Sequence, residues 1–254
     1  SGGILNLGTG QSDFGRENNA TGTLTFSGGT INLLSNLSFG DGGSGGEELG
    51  TGFLYMSGGT LNVGPRMDNL SNHDLKIGAD GDGARGTAVI SGGEINISDD
   101  FQIAWGANRE GSLTILDGII NVGDEFQVGD EPTAIGEFIM SGGTLRTGVE
   151  EVRAEPEVEG GGSFDIGNDG GTATMDMSGG TLEIDGNVRI GRDGSTGSGV
   201  ISGGVIRAAG FDVGADSATA SLDMSGGTLE IDNSIRLGRS GSTFTGVISD
   251  GEIT

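Results

Sequence analysis

The side chains able to do chemistry in this chain are overwhelmingly carboxylates: 37 Asp and Glu stand against 12 Lys and Arg, one His and no Cys, for a formal net charge of -25. Hard cations such as Ca²⁺ take several oxygen ligands, and acidic Gly-rich segments recur that could supply them. Among these are Asp41-Gly42-Gly43, Asp80-Gly81-Asp82-Gly83, Asn168-Asp169-Gly170 and Asp193-Gly194. The EF-hand spacing with its terminal Glu is absent. Solvated turn chemistry is the plainer account of these loops, with Asp80 and Asp82 the metal ligands and Ca²⁺ the cofactor if one is held. His73, beside Asp74, has no nucleophile to serve. The nearest catalytic constellation is Arg189 with Asp165 and Asp212, but each Arg is already matched by carboxylates. The expectation is therefore no catalytic residue and no enzyme.

Partners are narrowed by the same charges. A strongly acidic surface repels nucleic acid and anionic membranes, and Lys76 is the only lysine. No apolar run reaches the about 18 residues of a membrane helix, so no membrane span is expected. Without Cys there is neither a disulfide framework nor a thiolate metal site.

Two series of polar residues share a spacing. Asn6, Asn32, Asn62, Asn96 and Asn121 precede Arg146, Glu183, Arg207 and Glu230 at one position of a repeat, and Asp165, Arg189, Asp212 and Arg236 occupy a second position in the last four repeats. The five Asn predict an amide ladder, side chain bonded to side chain. The alternating charges predict a checkerboard, with opposite charges above, below and across the corner, each pair contributing about 0.2 to 1 kcal/mol.

Such spacing needs elements that repeat with it. Apolar-Ser-Gly-Gly-Thr-apolar segments recur, as at Phe26 to Ile31, Met56 to Leu61, Met140 to Leu145, Met177 to Leu182 and Met224 to Leu229, and looser copies complete ten, with a base period of 23 to 26 residues. Each period holds three short runs that alternate apolar and polar, the signature of strands buried on one face. The first run places Leu54, Met56, Met175, Met177 and Met224 inward, so the methionines are core fillers and not ligands. Gly199 and Gly246 stand where neighbouring repeats have Met175 and Leu222, small against large. Many of the 56 glycines fall at the Ser-Gly-Gly corner or at the end of the third run. The fold expected is all-β: one domain over 1–254, a parallel β-solenoid (β-helix), right-handed, of about ten coils with three short strands each. Loop insertions fall near 64–74 and 148–163.

Repeats written apolar-Ser-Gly-Gly-Thr-Leu-x-Ile, followed by an x-Ile-Gly strand, resemble those of large secreted bacterial β-solenoid proteins, the autotransporter passengers and surface-anchored Ser-Gly-Gly-Thr repeat proteins. That resemblance implies export to the extracellular space or cell surface, and roles as adhesins, sheath or fibre components.

The first coil lacks its opening strand and the last lacks its third, so the two ends read as complementary. The polymer interface would then comprise Ser1, Gly2, Gly3, Ile4 and Leu5 at one end, and Val247, Ile248, Glu252, Ile253 and Thr254 at the other. The function expected is an extracellular structural filament subunit whose partner is a second copy, joined head to tail. A surface adhesin or passenger that meets a cell surface or glycan is the alternative. A polysaccharide-degrading β-helix enzyme is less favoured.

Overall fold

The computed structural model describes residues 2–17, 19–42, 49–64, 73–79, 81–153 and 162–254. Nineteen strands form one sheet in which every pairing is parallel. In chain order they are β1 (Ile4–Leu7), β2 (Ser12–Arg16), β3 (Thr21–Leu33), β4 (Leu37–Asp41), β5 (Thr51–Val63), β6 (Leu75–Ile77), β7 (Arg85–Ile97), β8 (Phe101–Trp105), β9 (Glu110–Val122) and β10 (Phe126–Asp130). They continue as β11 (Ile135–Met140), β12 (Thr144–Thr147), β13 (Phe164–Asn168), β14 (Thr172–Met177), β15 (Thr181–Ile190), β16 (Thr196–Ile201), β17 (Val205–Val213), β18 (Thr219–Leu237) and β19 (Thr243–Ile253). No helix occurs among the described residues, and none is long and apolar enough to cross a membrane.

The expected parallel β-solenoid (β-helix) of about ten coils with three short strands each is corrected. In β3, β5, β7 and β18 the backbone runs through Ser-Gly-Gly, and in β9 through Leu116-Asp117-Gly118, without leaving the strand, so the first two runs form one element. The pairing absorbs the corner as a local register shift, as between Met56 and Thr60 against Ile90 and Glu94. In the intervening repeats the same segment breaks the strand in two. The long β9 therefore pairs with both β11 and β12, and the two lines meet again at β18. This closes a ring of eight parallel strands, β9-β11-β14-β16-β18-β17-β15-β12, a parallel barrel with the remaining strands outside it.

Glycine makes the continuous corner sterically feasible. The second Gly of the motif has φ between 76° and 111° from Gly29 through Gly251, a region that side chains other than glycine's rarely enter. At the end of β4, Gly40 has φ 77°, and a Cβ there would overlap the Arg85 carbonyl.

Alternation then places the core. Leu54, Met56, Phe138, Met140, Met175, Met177, Leu222 and Met224 are buried, and Leu24 and Phe244 pack on the same cluster half-covered. Gly199 is paired with Met175 on one side and Leu222 on the other, so the anticipated small-against-large packing is present. Aromatic rings fill the space behind the short strands: Phe126 stacks on Phe164 at 4.8 Å and meets Phe101 edge-on at 5.2 Å.

Candidate functional site

The Asn series forms the predicted ladder. Register pairs Asn6 with Asn32, Asn32 with Asn62, Asn62 with Asn96 and Asn96 with Asn121, because parallel neighbours hold like residues side by side. Each Nδ2 donates to the Oδ1 of the preceding Asn, at 2.7, 2.7, 2.9 and 2.8 Å in turn.

From Asn121 the same column continues into Arg146, Glu183, Arg207 and Glu230. Arg146 meets Glu183 at 2.6 Å, and Arg207 bridges Glu183 at 3.7 Å and Glu230 at 2.6 Å. The second column pairs Asp165 with Arg189 at 3.2 Å and Asp212 with Arg236 at 3.1 Å. The outer column is well exposed, whereas Asp165 and Asp212 are buried. Among the described residues no ion pair joins the two columns, so they are two separate ladders and not one checkerboard.

Burial pushes the Asp165 carboxyl up to about 6, against the opposing pull of Arg189 and then Arg192.

A third set escaped the sequence reading. Asn36, Asp74, Asp100 and Glu125 each precede a short strand, and their side chains climb like a staircase. The backbone N–H of Asp74 donates to Asn36 Oδ1 at 3.1 Å, that of Asp100 to Asp74 Oδ1 at 3.4 Å, and that of Glu125 to Asp100 Oδ1 at 3.0 Å. The signal was there in four oxygen-bearing residues at one repeat position, but three different residue types and an insertion before Asp74 concealed it.

Beside this staircase, Asp74, Asp99 and Asp100 hold one carboxylate oxygen each within 4.8 Å of one another, and these are the described residues that could hold a cation. Burial, with repulsion from Asp74 and then Asp124, pushes Asp99 up to about 7. Burial and the charge of Asp99 push Asp100 up to about 8, although the Glu125 N–H opposes the rise. The lone lysine is tied to this region: Lys76 Nζ lies 3.5 Å from Asp74 Oδ2 and 4.9 Å from the centre of the Trp105 ring. Of the pair named from the loops, Asp82 is exposed on its turn and Asp80 lies outside the described residues.

The anticipated interface residues occupy the two edges of the sheet. Gly2, Gly3, Ile4 and Leu5 are exposed at one edge and Val247, Ile248, Glu252, Ile253 and Thr254 at the other, while Ser1 lies outside the described residues. Thr254 is bonded in both directions, to the Leu229 carbonyl and from the Ile231 N–H, each at 2.9 Å.

Between the Asn ladder and the segment from Val149 to Val152 runs a groove of about 680 Å³. Its lining includes Ser98, which is buried and whose Oγ has no hydrogen-bond partner. In comparisons with known proteins no family model matches the chain, and neither a curated protein nor a solved structure matches it.

Proposed function

We propose that this chain is a non-catalytic structural element of an extracellular or cell-surface fibre, and that copies join edge to edge by adding parallel strands. It needs no cofactor and its partner is a second copy of itself. The observation that supports this reading is the exposure of core-row side chains at both edges. Leu5 is 50% exposed, whereas its register partner Ile31 is 7% exposed; Ile248 is 52% exposed, against 1% for Met224. Among the described residues, β1 pairs only with β3 and β19 only with β18, which leaves backbone donors and acceptors on each outer side. A strand of another copy laid on β19 would cover Ile248 and Ile253 as β18 covers the row beneath.

Sedimentation velocity over a concentration series, with electron microscopy of the same samples, tests this. The wild-type chain should grow in mass with concentration and form filaments, and Ile248→Glu should hold it as monomer. Monomers at every concentration for the wild type would overturn the reading.

A further inference from the structure

Along the groove over the Asn ladder, one side chain type is offered at every rung. A carboxamide has two N–H donors and an oxygen with two lone pairs. Asn32, Asn62 and Asn96 each spend one N–H on the rung before and one lone pair on the rung after. One donor and one acceptor per rung are left over. With rungs about 4.8 Å apart, the stretch from Asn32 to Asn121 offers this pair four times over about 14 Å.

The complement of a repeated donor and acceptor is a repeated hydroxyl, which is both. We propose that this groove binds a neutral, extended oligosaccharide lying along the ladder, a site independent of edge association. Ser98 strengthens the assignment: it lines the groove two residues after Asn96, and its buried Oγ is unpartnered within the chain, a group that a sugar hydroxyl would satisfy. The walls fit the same ligand. Glu94 and Glu151 accept hydroxyl protons, while Val149 and Val152 give the apolar contact that sugar C–H faces prefer.

Two other ligand classes fit less well. The groove's cation, Arg146, is already held by Glu183 at 2.6 Å, so an acidic glycan would meet Glu94 and Glu151 on a chain of net charge -25. A peptide strand would need open backbone edges, yet β5 and β7 beneath the groove are paired on both sides.

Isothermal titration of the 254-residue chain with cellohexaose and mannohexaose tests the proposal, with hexagalacturonate and an extended hexapeptide as comparison arms. At least one neutral hexasaccharide should bind, and Asn96→Leu and Glu151→Arg should each weaken it tenfold or more, while Thr174→Ala on the opposite strand run leaves it unchanged. Glu151 is exposed and makes no ladder bond, so its variant carries the test if Asn96→Leu fails to fold. No binding of either neutral hexasaccharide, tighter binding of hexagalacturonate or the peptide, or unchanged affinity in Glu151→Arg would overturn it.

Discussion

One column of outward side chains runs from Asn6 to Glu230, and its two halves solve the same stacking problem with opposite chemistry. The first five positions are amides, each bonded to the next, and the last four are ions of alternating sign. An amide ladder looks the same after a slip of one repeat, because every rung offers the same donor and acceptor. The ionic ladder does not: a slip of one repeat sets Arg beside Arg, and only a slip of two restores the match. The amides therefore give cohesion without register, and the ions give register with little cohesion, since exposed pairs contribute about 0.2 to 1 kcal/mol each. Parallel strands with near-identical sequences need such a device, because their apolar rows alone do not distinguish one repeat from the next.

The largest effect should come from breaking the amide half. Asn62→Leu removes one bond given to Asn32 and one taken from Asn96, and should lower stability by about 2 to 3 kcal/mol, read as a fall in the thermal midpoint at any salt concentration.

Next comes the contrast between a buried carboxylate paired with arginines and one whose main charged neighbour is another carboxylate. Asp165, in the second column and held by Arg189 and Arg192, rises only to about 6, while Asp100, on the staircase and beside Asp99, rises to about 8. Both folded values lie above the ordinary 3.8, so the folded state holds the proton more tightly. Their contribution to stability is fully present below about pH 4 and is lost as pH rises through 6 to 8. Melting should thus be higher at pH 5 than at pH 9. Asp100→Asn keeps an oxygen for the Glu125 N–H, and should raise stability at pH 9 by about 1 to 2 kcal/mol and flatten the pH profile.

The smallest effect belongs to the ionic column. Glu183→Lys places three cations in a row and should cost about 1 kcal/mol at low salt, most of it recovered in 1 M NaCl. Asn62→Leu should show no such recovery.

Much of this was legible in the sequence, because parallel pairing converts a repeat position directly into a spatial column. The Asn ladder and the Gly199 gap between Met175 and Leu222 both follow from that rule, and the positive-φ glycines follow from their place at the repeated corner. What was not legible depends on backbone or burial. Ser-Gly-Gly reads as a corner that ends a strand, yet β5 passes through Gly59 at φ 89° and keeps pairing, while Gly180 at φ 84° sits where β14 ends and β15 begins, so the sequence motif does not tell a continuous corner from a broken one. The inner acidic column alternates like any exposed strand, and no periodicity reveals that Asp165 and Asp212 are covered. The carboxylates that converge, Asp74, Asp99 and Asp100, come from segments before short strands and not from the Gly-rich turns where acidic residues are most conspicuous.

The central claim, that the open edges seat another copy, is tested most directly by hydrogen exchange of the β19 amides at low and high protein concentration. Those facing away from β18 should gain tenfold or more in protection as concentration rises, while the amides of β5 and β7 stay unchanged. Equal exchange of β19 at both concentrations would contradict the account.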